Sequence, residues 1–153
     1  MVMFWGYFSD AGLGPLHPCV GTVNTSAYIS IMEHQLLPTA ACWFENIDDW
    51  IFVQDNAPCH NSKTTKKWFA DKGVCLMEWP ANSPDLNPIE NLWGVLKQKL
   101  LRMGSLNKQH LVDNVTKIWN EDDGLKALCS KLVETMPKRA QAVLKARGEA
   151  IKY

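Results

Sequence analysis

"DDWIFVQDNAP", residues 48–58, is the stretch on which the reading of this chain turns. Trp50 to Val53 is a continuous apolar run halted by polar and turn-forming residues, the pattern of a strand buried on both faces. Asp55 stands just past its carboxyl end, where open α/β sheets place their ligands. Two readings compete for that acid: an Asx turn that lets the chain leave the strand, or a carboxylate set at a binding crevice. Downstream, "NSKTTKKWFADKG" (residues 61–73) reads as a helix capped by Asn61 or Ser62 and closed by Gly73, and "VCLMEW" (residues 74–79) as a second strand. Strand, helix and strand in that order imply a parallel βαβ unit with a right-handed crossover.

The pattern continues in both directions. Upstream, "VMFWGYFS" (residues 2–9) is a strand, "DAGLGP" (10–15) a turn and "LHPCVGTV" (16–23) a returning strand, with Pro18 marking an edge or bulge. Asn24 caps a helix whose Tyr28, Ile31, Met32, Gln35 and Leu36 share one face, broken or restarted at Pro38. Beyond Arg102 the chain reads as helices in "NKQHLVDNVTKIWNE", "GLKALCSKLVETM" and "PKRAQAVLKARG", the last punctuated by Pro137 and Gly148. No repeat, low-complexity tract or flexible linker interrupts it.

At 153 residues the chain is expected to form one domain, with a sheet-rich part at 1–60, a strand–helix part at 61–102 and a helical part at 103–153. An apolar share of 46% excludes a disordered chain. No apolar run approaches the roughly 18 residues of a membrane span, and the opening residues lack a basic leader and a cleavage site. Five cysteines without CxxC spacing argue for a reduced intracellular compartment and against zinc. Net charge is zero but divided: residues 1–60 hold no lysine or arginine and six acids, whereas residues 61–153 hold sixteen basic residues and ten acids. Such asymmetry fits a polyanion-binding half, or simply solvated helix faces.

A second acid lies in "SPDLNPIENLWGVLKQKL", residues 83–100. With Asn87 as cap and Pro88 at the first helical position, Glu90 is the third residue, where a carboxylate suits the helix dipole and can reach back to the cap. Ile89, Leu92, Trp93, Leu96 and Leu100 form the apolar stripe. Gly94, one turn on, leaves open space above Glu90. Capping explains Glu90 alone; two acids from a strand end and a helix start can also converge on a hard divalent cation.

At this point "QDNAPCH" followed by "WPANSPDLNPIENLWGVLK" resembles the catalytic core of the mariner superfamily of DNA transposases, in its Tc-one-like branch. Asp55 and Glu90 are separated by 34 residues, that branch's interval between its second and third catalytic acids. "VMFWGYFSDAGLGPL" is similar to the family's strand pair, and "LVETMPKRAQAVLKARGEAIKY" to its C-terminal end. The resemblance implies an α/β, ribonuclease H-like fold: a mixed sheet flanked by helices, incomplete at the N-terminus, with a helical C-terminal portion. It implies that Asp55 and Glu90 are catalytic acids and ligands of magnesium or manganese, with Asn56 and His60 in supporting positions. Strand cleavage and joining in cut-and-paste transposition, a nuclear location, and DNA together with a second copy or a full-length transposase as partners are the functional implications.

The family's first aspartate, on a "W-S-D-E"-like strand, and its helix-turn-helix region fall ahead of the first residue of this chain. Asp10 is no substitute, being a tight-turn aspartate at a position that is not catalytic in the family. Weak metal binding and inefficient cleavage by this chain alone are therefore expected. Lys63, Lys66, Lys67, Lys97, Lys99 and Arg102 are candidate phosphate contacts, as is a second cluster of Lys138, Arg139, Lys145, Arg147 and Lys152. Trp68, Trp79 and Trp93 read as core. Two rival readings stay open: a non-enzymatic remnant that binds DNA or a partner protein, and an ordinary structural domain whose acids only cap and turn.

Overall fold

The computed structural model describes residues 2–80, 83–84 and 86–145; Arg147, Gly148 and Lys152, singled out above, lie outside them. The chain divides into two compact units, Met1–Pro18 with Ser83–Tyr153, and Cys19–Asn82.

The first unit begins with short strands: β1 (Met3–Trp5), β2 (Phe8–Ser9), β3 (Gly12–Leu13) and β4 (His17–Cys19). The hairpin expected over residues 2–23 is present but segmented. β2 and β3 pair antiparallel around a two-residue turn, Ser9 opposite Gly12, and β1 pairs with β4. Asp10 sits at that turn, as expected of it. The uninterrupted strand over residues 2–9 breaks at Gly6 because the chain there runs close over aromatic rings. A Cβ on Gly6 would lie 3.1 Å from Trp119 and 3.2 Å from Trp93. Trp119 Nε1–H donates to the Gly14 carbonyl at 2.8 Å, fastening the hairpin to the helices.

Those helices are α4 (Ile89–Met103), α5 (Lys108–Glu121) and α6 (Asp123–Lys145). Their joint core comprises Leu92, Leu96, Val115, Ile118, Trp119, Leu125, Cys129 and Leu132, with Ile89, Trp93 and Leu100 packed against it. The expected stripe of α4 thus faces inward, and Trp93 stacks on Trp119 at 5.1 Å. The break expected at Pro137 does not occur; α6 runs through it. Proline removes one hydrogen bond to the carbonyl four residues earlier, but that residue, Val133, is exposed and its carbonyl can turn to water. On either side the helix is held by buried Leu132 and by buried Arg139, whose guanidinium reaches Thr135 Oγ1 (2.9 Å) and Asn91 Oδ1 (2.8 Å).

In the second unit, Asn24 caps α1 (Thr25–Ile31), accepting from the Ala27 N–H at 2.9 Å. The restart expected at Pro38 is found. A π-helical turn, Met32–Leu36, carries the chain into α2 (Leu37–Trp43), with proline in the first turn, where its missing N–H is least costly. Tyr28, Ile31, Met32 and Leu36 are buried, as their spacing predicts. Ser62 caps α3 (Lys63–Asp71), and Gly73 follows at φ +72°. The strands expected at Trp50–Val53 and Val74–Trp79 shrink to a single parallel bridge, Phe52 with Leu76, made by Phe52 N–H to Cys75 O (2.8 Å) and Met77 N–H to Phe52 O (2.9 Å). Phe52 is buried near Phe69 of α3, but Ile51 is 55% exposed, so the run is covered on one face rather than two. Among the described residues no helix is long and apolar enough to cross a membrane.

Candidate active site

The two parallel segments end together. Asp55 and Asn56 follow Phe52 by three and four residues; Glu78 and Trp79 follow Leu76 by two and three. The Asn56 side-chain amide donates to the Trp79 carbonyl at 2.8 Å and ties the two ends. Between them opens a groove of about 350 Å³, lined by Gln54, Asp55, Asn56, Lys66, Glu78 and Trp79 among others. This is the crevice at the carboxyl ends of strands in which open α/β sheets bind ligands.

Asp55 is exposed, yet one of its oxygens is fully engaged. Oδ1 accepts from the Ala57 N–H at 3.0 Å and from His60 Nδ1–H at 2.6 Å. An ionised carboxylate can only accept, so the shared proton belongs to the imidazole. Oδ2 has no hydrogen-bond partner among the described residues. The Asx turn expected of Asp55 is made through Oδ1.

His60 is held from behind. Its ring lies on that of Tyr28, with centroids 4.1 Å apart. The Tyr28 hydroxyl donates to Gln54 Oε1, and Gln54 Nε2–H donates to the His60 carbonyl at 3.3 Å. Burial, with the negative charge of Cys59 and Asp55 adding, pushes the Tyr28 phenol far above its ordinary range, so it remains a donor. Thr65 Oγ1 donates to the Cys59 carbonyl at 2.6 Å, anchoring the same loop to α3.

Glu90 lies in the other unit, exposed in the first turn of α4. The helix starts one residue later than expected: Pro88, not Asn87, is its cap and makes no side-chain cap hydrogen bond, so Glu90 is the second helical residue. Asn87 Oδ1 accepts from the Ile89 N–H at 3.3 Å and its carbonyl from the Glu90 N–H at 3.2 Å. Nothing lies within 4 Å of a Cβ built on Gly94, so the space expected beside Glu90 is there. Among the described residues no group of three or more His, Cys, Asp or Glu side chains is assembled to hold a metal.

Of the candidate phosphate contacts, Lys66 lines the groove, and Lys63, Lys97 and Arg102 are exposed. Lys67 is paired with Asp71 at 2.8 Å and Lys99 with Asp122 at 2.6 Å. Arg139 does not belong to a surface cluster: it is 2% exposed and cements α6 to α4. Lys138 and Lys145 are exposed. Sequence reasoning overlooked Tyr28 and Gln54, which carry no chemistry of their own, and Glu78. The last was within reach, since it follows an apolar strand just as Asp55 does.

A family model described as DDE superfamily endonuclease matches residues 5–112. The chain is 38% identical over 152 residues to the transposable element Tcb1 transposase of Caenorhabditis briggsae, and 35% identical over 153 residues to the transposable element Tc1 transposase of Caenorhabditis elegans. Each comparison covers 99% of this chain and 54% of the relative, so the chain spans about half the length of the relatives it matches. Among solved structures, the Mos1 mariner paired-end complex with Mn aligns with a TM-score of 0.83 at 17% identity, covering 99% of this chain and 45% of that one. The catalytic domain of Mos1 mariner transposase aligns at 0.76 and 17% identity, covering 99% and 76%. At such identities the likeness speaks for the fold, which is ribonuclease H-like α/β as expected.

Proposed function

The chain belongs to the DDE superfamily of endonucleases, and on that premise we propose that it is the part of a Tc1-like transposase that supplies two acids, Asp55 and Glu90, to a divalent-metal centre for DNA strand cleavage and joining. The observation that carries the reading is Asp55 itself: a carboxylate at the carboxyl ends of two parallel segments, one oxygen pinned by two donors and the other left over. Hard oxygen donors beside a polar groove suit magnesium or manganese. Such an ion, when bound, polarises a phosphate and activates water.

In this reading Asp55 and Glu90, with 34 residues between them, are the family's second and third acids and both are ligands. Asn56 keeps the two segment ends together, and His60 holds Asp55 in place. Lys63, Lys66, Lys97 and Arg102 contact DNA phosphates without reading sequence. Transposon ends as substrate, a second copy or a full-length transposase as partner, and a nuclear location belong to the same proposal.

Titration of the chain with Mn²⁺ tests it. Binding is expected, lost in Asp55→Asn and weakened in Glu90→Gln. Unchanged binding in both variants would leave the acids as turn and cap only.

A further inference from the structure

Tyr28 takes no part in the chemistry proposed above, yet its polar contacts lead to Asp55. It is 1% exposed, and a phenylalanine would fill the same space. What the hydroxyl adds is a single donor, and a buried donor must be paired. Its partner, Gln54, uses the far end of its amide to hold the His60 carbonyl at 3.3 Å, while the Tyr28 ring supports the His60 imidazole at 4.1 Å and 34°. His60 is thereby fixed at both main chain and side chain, and its Nδ1–H meets Asp55 Oδ1 at 2.6 Å.

Asp55 needs such help. Its side chain is 60% exposed, so packing does not choose its rotamer, and in water three χ1 wells would compete. Two donors converging on Oδ1, the His60 ring and the Ala57 N–H, select one well and one orientation of the carboxylate. Ala57 belongs to the same turn and moves with it; the fixed reference is the buried tyrosine.

We propose that Tyr28, acting through Gln54 and His60, is a positioning residue that holds the Asp55 carboxylate so that Oδ2 is the oxygen offered to a cation. This rests on the reading of Asp55 as a metal ligand. The groups surrounding a ligating carboxylate commonly govern metal affinity by 10–100-fold when removed.

The test uses the labelled chain and two readouts: side-chain coupling constants that report the Asp55 χ1 angle, and Mn²⁺ affinity from water-proton relaxation. Tyr28→Phe keeps the ring and removes the hydroxyl, Gln54→Met keeps the length and removes the amide, and His60→Ala removes the donor. In His60→Ala the Asp55 couplings should become rotamer-averaged and the Mn²⁺ dissociation constant should rise about 10-fold. Tyr28→Phe and Gln54→Met should shift both readouts in the same direction by less, with thermal unfolding confirming an intact fold. If Asp55→Asn weakens Mn²⁺ binding while Tyr28→Phe, Gln54→Met and His60→Ala leave couplings and affinity unchanged, the positioning role is overturned alone. If Asp55→Asn leaves Mn²⁺ binding unchanged, the metal reading fails, and the purpose assigned to Tyr28 fails with it.

Discussion

The two units present their acids by different physical means. Glu90 rides on α4, whose position is set by apolar packing: Leu92 and Leu96 are buried with Trp119, Leu125 and Cys129 in a core shared by three helices and the hairpin. Its place follows from helical register and would survive changes to any one polar contact. Asp55 follows a segment held by one parallel bridge, and what orients it is a line of hydrogen bonds from Tyr28 through Gln54 and His60. Hydrophobic burial is strong but non-directional; hydrogen bonds contribute less each but fix angles. One unit sets where an acid is, the other how an acid points.

The largest test of that contrast is Trp119→Ala. It removes a ring that is 1% exposed, its stack on Trp93 and its bond to Gly14. A loss of about 3–5 kcal/mol in denaturant unfolding is expected. Thiol labelling supplies a local readout. Cys129, buried in the same core with its thiol pushed up to about 11 by burial, should resist alkylation in the native chain and become reactive in the variant. Exposed Cys42 and Cys75, both in the other unit, should react quickly in either protein.

Next in size is Arg139→Met. The guanidinium links α6 to Asn91 on α4, so its loss should destabilise by about 1–3 kcal/mol while leaving the salt dependence of DNA retention unchanged. A weakened salt dependence with unaltered stability would return Arg139 to the surface cluster in which its position along the chain first placed it.

The smallest effect is expected at Lys99→Ala. Lys99 donates to Asp122 and, with the Leu125 N–H, holds that carboxyl below its ordinary range. A lowered folded-state value contributes stability above the ordinary carboxylate range, which is lost as pH falls through the lowered value. Lys99→Ala should therefore cost about 0.2–1 kcal/mol near neutrality, with the difference from wild type shrinking below about pH 4. A difference that grows on acidification would contradict the assignment.

Much of this was legible in the residues. The Asn24 and Ser62 caps, the α4 stripe and the placement of Asp55 after an apolar run all follow from local chemistry, and local chemistry is what neighbouring residues encode. The misreadings share a cause. Pro137 read as a break because proline lacks a donor, yet in the folded chain an exposed carbonyl faces it. Trp50–Val53 read as buried on both faces because apolarity does not reveal how many neighbours a strand will find. Arg139 read as a surface cation because charge ordinarily stays in water, and only packing against Asn91 and Thr135 put it inside.

The amino-acid order alone determined the Asn24 and Ser62 caps, the α4 stripe, the family and two acids with 34 residues between them, since each is written in spacing along the chain. The folded chain decided that Asp55 keeps one oxygen back, that a tyrosine 27 residues earlier stands behind it, and that Glu78 shares its groove. These are contacts between residues distant in order, and they exist only once the backbone has brought the side chains together.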